Sequence, residues 1–339
     1  MSSVARETAT APAPCFVSAD TASRVLEWDA IVETLERAYG ATQGPMSVPP
    51  RAVARDGEGI WLRSMSAIPA GSRYMGTKAF GLSRQQTLNY VITLFDQDTG
   101  AVAAFVDGNT VTARRTAGTS AVAVNRLAPG GPATLGVLGS GAEARAHVEA
   151  IASIRSIAAV RVFSPTEARR ADFAASLSAR LGIGVVAVGS PEAAVGDASI
   201  VVAAARARDE QPILFGQWLR PDALVVSIGS TLPEQREIDV SVVAASRLIV
   251  CDAVKEVCEE TGDMLAARTA GLAFEHKIAS LNDLVSGRID RERTAAGLRL
   301  FKSVGTALQD IVVAALAYER ARELGLALAL PFSFLTKHA

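Results

Sequence analysis

The chain has 339 residues, 49% hydrophobic and 20% charged, which is material for about two domains with aliphatic cores and carries no compositional mark of disorder. Its 34 basic and 35 acidic residues nearly cancel, so bulk charge gives no attraction to nucleic acid or to an anionic membrane. No apolar run approaches the roughly 20 residues that span a bilayer, and the three cysteines and three histidines lack metal-ligand spacing. Neither membrane insertion nor a metal site is therefore expected, and reduced thiols fit a cytoplasmic protein.

Residues 2–14 are mostly Ala, Thr, Ser and Pro, without the charged start and apolar stretch of a secretory signal, and predict a flexible extension over 1–16. From Val17 to Gly40 the spacing of Ala30, Ile31, Thr34, Leu35 and Ala38 predicts helix. The runs 90–95 and 101–105, separated by Asp96-Gln97-Asp98-Thr99-Gly100, predict a β-hairpin, and Asp107-Gly108 a second turn. This half reads as antiparallel sheet plus helix. After Pro129-Gly130-Gly131-Pro132 the rhythm changes. Apolar runs at 134–138, 160–163, 185–188, 199–202, 224–228 and 248–251 alternate with helical stretches such as 166–181. Uniformly apolar strands alternating with helices predict a parallel sheet covered on both faces, the doubly wound Rossmann-type α/β architecture. The tail from Leu298 to about Leu324 reads as one long amphipathic helix that returns to the first domain. The division expected is 17–128 with 304–339 as an α+β domain, and 129–303 as the parallel-sheet domain.

The loop Gly139-Ser140-Gly141-Ala142-Glu143-Ala144 follows one of these strands and opens a helix, the context in which G-x-G-x-x-A binds a dinucleotide. Gly139 permits the tight turn, Gly141 admits the pyrophosphate close to the backbone, and Ala144 allows the helix to pack on the strand. The phosphates would lie at the helix N-terminus, against Ser140, Ala142 and Glu143. The alternative is a purely structural turn. The second strand ends Phe163-Ser164-Pro165-Thr166 with no carboxylate for ribose hydroxyls. Ser164 and Thr166 can hydrogen-bond there, and Arg169 and Arg170 can meet a 2′-phosphate, so NADP(H) is preferred over NAD(H). The alternative leaves both arginines as solvated helix residues.

Several further motifs occur together: Pro49-Pro50-Arg51, Gly76-Thr77-Lys78, Leu94-Phe95-Asp96, Thr112-Ala113-Arg114-Arg115-Thr116-Ala117, Ile228-Gly229-Ser230, Arg236-Glu237-Ile238-Asp239, Glu259-Glu260-Thr261-Gly262-Asp263 and Phe301-Lys302-Ser303-Val304-Gly305. In number and order they resemble the ornithine cyclodeaminase/mu-crystallin family from about Val17 onward. The resemblance implies a homodimer whose first domain binds substrate and forms the dimer contact, and whose second holds the dinucleotide. It implies hydride exchange at a carbon bearing nitrogen and carboxylate, on a small amino or imino acid. Arg51, Lys78 and Arg115 match positions that hold the substrate carboxylate, with Arg114 the rival of Arg115. Asp239 matches the catalytic aspartate, with a raised pKa expected from burial beyond a strand end and a helix N-cap as its alternative role. Lys78 is a second candidate proton donor. Thr116, Gly229 and Ser230, within the same motifs, are assigned to the cofactor. Cyclodeaminases of the family carry Glu near the distal ammonium, whereas this chain reads Arg63-Ser64-Met65-Ser66. Met65 is placed with the substrate-binding residues, and Arg63 would repel ornithine's second amine. The resulting expectation is an NAD(P)H-dependent ketimine or imino-acid reductase. An ornithine-type cyclodeaminase and a non-catalytic NADPH-dependent binding protein are the alternatives.

Overall fold

A computed structural model describes residues 13–335 except 206 and 208. The chain divides into two compact units. The first comprises residues 13–27, Gln43–Thr112 and residues 307–335, and the second comprises Trp28–Thr42 and Ala113–Thr306.

In the first unit a seven-stranded sheet is built from β1 (Cys15–Val17), β2 (Ala52–Arg55), β3 (Trp61–Ala67), β4 (Tyr74–Leu82), β5 (Leu88–Asp96), β6 (Val102–Asp107) and β15 (Leu328–Ala329), the last being the fifteenth strand in chain order. Its order is β15-β1-β6-β5-β4-β3-β2. All pairings are antiparallel except β1 with β6, so the expected antiparallel sheet carries one parallel pair near its edge. The predicted hairpin is present: Asp96 accepts from the Asp98 and Thr99 N–H groups (3.2 and 3.0 Å), and Gly100 takes φ +66°. Asp107-Gly108 is the junction of a strand and a helix and not the turn expected there. Asp107 accepts from the Asn109 N–H at 2.9 Å and starts helix Gly108–Leu127. The extension expected over 1–16 is shorter than that at its inner end, because Cys15 and Phe16 are paired in β1; residues 1–12 lie outside the described part.

The second unit holds eight parallel strands, β7 (Ala133–Leu138), β8 (Ile157–Phe163), β9 (Val185–Ala187), β10 (Ile200–Ala203), β11 (Leu224–Ser227), β12 (Ser246–Cys251), β13 (Ile278–Ser280) and β14 (Leu298–Lys302). The order β13-β12-β14-β11-β10-β7-β8-β9 reverses direction between β7 and β10, which is the doubly wound switch point. β10, β11 and β14 are buried along their whole length, as strands with covered faces must be.

Two expectations change. Residues 298–324 are not one helix: Leu298–Lys302 is a central strand, Gly305 turns the chain at φ +83°, and helix Ala307–Glu323 follows in the first unit. The domain division also differs, since residues 28–42 and 113–128 pack with the parallel sheet. The Asn282 side chain donates to the Tyr39 carbonyl at 3.0 Å, and the Ser120 hydroxyl lies 2.9 Å from His147 Nε2 in helix Ala142–Ile154. Among the described residues no helix is long and apolar enough to cross a membrane.

Candidate functional site

The first unit gathers cations on one face of its sheet. Alternation along β3 puts Arg63 and Met65 on the face opposite Leu62, and the register sets Met65 across from Lys78 and Arg63 across from Phe80. Continuing the β2–β3 register one residue brings Arg51 to the same face. Lys78 is 1% exposed; its Nζ donates to Asp310 Oδ1 at 3.0 Å and lies 5.0 and 5.2 Å from the Phe80 and Tyr90 ring centres. Phe80 and Tyr90 stack at 5.1 Å, Trp61 meets Phe80 edge-on, and the Arg63 guanidinium covers Trp61 at 4.7 Å. Arg51, Arg63, Met65 and Lys78 therefore share one aromatic-lined, cation-rich wall. Asp310 was not singled out from sequence. Its signal is a carboxylate in the first turn of helix Ala307–Glu323, whose buried residues other than Gln309, Asp310 and Tyr318 are apolar.

In the second unit the glycine loop fits a dinucleotide. Gly139 has φ +115°, and a Cβ there would lie 2.6 Å from the Ala204 carbonyl oxygen. A Cβ on Gly141 would meet no protein atom within 4 Å. Packing thus leaves clear space over this residue, where a pyrophosphate would lie. Among the described residues no side chain caps helix Ala142–Ile154, so its first N–H groups are available to phosphate, and Ala144 is fully buried. The Ser140 hydroxyl donates to Ser164 Oγ at 2.9 Å, tying the loop to the end of β8. Thr166 and Arg169 are exposed at the start of helix Glu167–Leu181, while Arg170 donates to the Ser164 carbonyl at 3.0 Å and braces the turn. Glu143 is partly buried; its carbonyl lies 2.7 Å from His147 Nδ1.

Helix Gly108–Leu127 separates the rival arginines. Arg114 lies over Trp28 at 4.4 Å, whereas Arg115 is buried with its guanidinium against Gly305, where any Cβ would overlap it. Thr116 follows, half-buried, and its carbonyl accepts from Ser120 at 3.2 Å.

Two expectations, both about Asp239, are corrected. Asp239 does not directly follow a strand: β11 ends at Ser227, and Asp239 is the N-cap of helix Val240–Ala245, accepting from the Ser241 N–H at 2.9 Å. Its pKa is not raised. Burial pushes it up, but the hydrogen bonds from Ser241 and Val240 and the nearby Arg236 charge prevail and hold the carboxyl below its ordinary value. The Ser230 hydroxyl is used internally, donating to the Gln235 carbonyl at 2.6 Å. The Gly229 N–H likewise donates to Glu237 Oε2 at 2.9 Å.

Glu237 is a second group with no role assigned from sequence. It is fully buried, as are Lys302, Ser227 and Asp263. Lys302 Nζ donates to Ser227 Oγ (2.8 Å) and Asp263 Oδ2 (2.9 Å), and Ser227 donates to Glu237 Oε2 at 2.6 Å. Asp263 Oδ1 accepts from the Glu237 N–H at 2.8 Å and the Ile238 N–H at 3.2 Å. Burial pushes the Glu237 carboxyl up to about 7, against the pull of Lys302, Ser227 and Gly229, while Asp263 adds to the push. Ser227 and Lys302 end β11 and β14, at the carboxyl edge of the parallel sheet where doubly wound folds bind ligands. Asp263 and Lys302 belonged to recognised motifs, but nothing local in the sequence says that they meet.

The match to a family model is decisive here: the model described as the ornithine cyclodeaminase/mu-crystallin family covers residues 17–325. The chain belongs to that family. Ketimine reductase mu-crystallin of Rattus norvegicus is 30% identical over 323 residues, 91% of this chain and 97% of the relative. A Delta(1)-pyrroline-2-carboxylate reductase of Bacillus cereus is 29% identical over 275 residues, 81% of each chain. Among solved structures, Thermococcus litoralis Delta(1)-pyrroline-2-carboxylate reductase in complex with NADH and L-proline superposes with a TM-score of 0.84 at 27% identity, covering 93% of this chain and all of that one. In this chain the motifs ending in Asp263 and Gly305 have visible structural contacts. They build the buried network under the carboxyl edge and the seat of Arg115.

Proposed function

We propose that the chain is an NAD(P)H-dependent ketimine or imino-acid reductase that adds hydride to the carbon of a C=N bond beside a carboxylate. The observation that carries this reading is the wall of Arg51, Arg63 and Lys78 around Met65, in a chain that also holds a glycine loop fitted to a dinucleotide. Bound NAD(P)H supplies the hydride. Arg51, Lys78 and Arg115 hold the substrate carboxylate, the arginines through their planar two-donor forks. Met65 and the Trp61–Phe80–Tyr90 surface take the apolar part of the substrate. Asp239, ionised at neutral pH, is the catalytic carboxylate that balances the positive charge of a protonated substrate nitrogen. Lys78 is the proton donor when the substrate arrives as a neutral imine. Both roles leave an amine with the added hydride on carbon and the proton on nitrogen.

Arg63 on the Lys78 face favours reduction over ornithine cyclodeamination, because a cation there opposes a second ammonium. The exposed Arg169, beside Ser164 and Thr166, supports NADP(H) over NAD(H). Exposed Leu62 and Val91, on the sheet face away from Lys78, support a homodimer formed through the substrate-binding unit, and the three free cysteines support a cytoplasmic location. The test is a panel of cyclic imino acids with NADPH or NADH followed at the nicotinamide absorbance. Substrate-dependent NADPH loss is expected. Ammonia release from ornithine with catalytic NAD+, and no loss with any imine, would make the chain a cyclodeaminase instead.

A further inference from the structure

The segments that frame the glycine loop are fastened to one buried side chain. The Ala204 carbonyl and Ala205 Cβ lie against Gly139, at 2.6 and 3.1 Å from where a Cβ would stand. A Cβ on Gly229 would lie 2.9 Å from the Ala205 carbonyl oxygen and would overlap Glu237 itself. Glu237 then bonds to both segments: Oε1 accepts from the Ala205 N–H at 3.2 Å, and Oε2 accepts from the Gly229 N–H and the Ser227 hydroxyl. All three of these partners act as donors, so the ionised carboxylate completes the set and a protonated one must lose a contact. Among the described residues the charged groups around it are Lys302 on β14 and Asp263 on helix Gly262–Thr269. Arg236, on its own segment, donates to Asp263 at 3.4 Å.

Building on the reductase reading, we propose that Glu237 is a positioning residue for the nicotinamide dinucleotide. Its carboxylate locks the turns after β10 and β11 against the glycine loop, and its protonation loosens that lock and weakens cofactor binding. The residue stands where a carboxyl pushed up to about 7 changes state within the working range of most enzymes.

The test is the dissociation constant of NADH across pH 6 to 8.5, read by its fluorescence; NADH carries no 2′-phosphate to titrate in the same range. The wild type is expected to bind more weakly as pH falls through about 7. Glu237→Gln, whose amide N–H2 must face one of the three donors, is expected to bind about tenfold more weakly at high pH and to lose the pH dependence. Ser227→Ala removes one donor to the ionised form and is expected to move the midpoint upward. This second variant keeps the proposal falsifiable should Glu237→Gln fold poorly. A Glu237→Gln protein with wild-type melting temperature, affinity and pH profile would overturn the proposal, as would a midpoint unmoved in Ser227→Ala. Absence of dinucleotide binding by the wild type would overturn both this proposal and the reductase reading. The expected NADH profile without reduction of any imine would uphold Glu237's role and overturn the reading alone.

Discussion

Each unit buries one lysine against one aspartate, and the two pairs differ in what surrounds them. Lys302–Asp263 is bonded into the scaffold: Lys302 reaches Ser227, and Asp263 takes the backbone N–H groups of residues 237 and 238. Lys78–Asp310 lies instead beside the Phe80 and Tyr90 rings, on the face that carries Arg51, Arg63 and Met65. A buried ion pair is costly to break yet seldom a net gain over apolar packing. The first pair is therefore best understood through the backbone it fixes, and the second through the cation it presents.

The largest expected effects separate the pairs. Lys302→Met leaves Asp263 buried without its cation and is expected to cost roughly 3–5 kcal/mol in a denaturation experiment. Adding Asp263→Leu should not repair it, because the N–H groups of residues 237 and 238 then lose their acceptor. Lys78→Met is expected to cost a similar amount. There, adding Asp310→Leu should restore most of the stability and none of the imine reduction. Recovered turnover in that double variant would reduce Lys78 to a structural role.

Next in size is Asp239→Asn. Asparagine is also a good N-cap, so the helix start should survive. Turnover is expected to fall about 10³-fold with cofactor affinity nearly unchanged, within the range for losing one electrostatic stabiliser of the reacting charge. A kcat within twofold of wild type would remove Asp239 from the chemistry.

Two buried groups then oppose each other with pH. His147 is held down to about 4 by burial, against the pull of the Glu143 carbonyl, and its Nε2 lies 2.9 Å from the Ser120 hydroxyl. The stability it contributes is complete above its ordinary value of 6.5 and is lost as pH falls toward 4. Glu237 acts in reverse: with its carboxyl raised from 4.5 to about 7, stability falls as pH rises through that interval. Each is worth about 3 kcal/mol at full extent, so they largely cancel between pH 5 and 6.5. Glu237→Gln should expose the histidine, and its melting temperature should drop more steeply than wild type on acidification from pH 7 to 5. Parallel profiles would show that the two do not compensate.

The smallest effect concerns cofactor choice. Arg169→Ala should raise the KM for NADPH about tenfold and leave that for NADH unchanged, a difference of about 1.4 kcal/mol. Equal changes for both would assign Arg169 to the helix surface.

What the sequence made legible followed from local periodicity. The apolar runs of β7, β8 and β10–β12, the glycine turn and the Asp96–Gly100 hairpin are each written in a few adjacent residues. β14 was read as helix because Leu298-Arg299-Leu300-Phe301-Lys302 adjoins a true helix, and a short buried run carries no period of its own. Residues 28–40 fall on the other side of the division because a partner they pack on, Asn282, which donates to the Tyr39 carbonyl at 3.0 Å, lies more than two hundred positions away. The site residues of the recognised motifs were legible as types. The Glu237–Ser227–Lys302–Asp263 network was not, since it joins four segments that only the closed sheet brings together.

The central claim is hydride delivery to the carbon beside the carboxylate, and isotope transfer tests it most directly. With NADPH bearing deuterium at the transferable C4 position and a cyclic imino acid such as pyrroline-2-carboxylate, the account predicts product carrying one deuterium on that carbon and none released to water. NADPH oxidised without label in the product, or ammonia formed in its place, would contradict it.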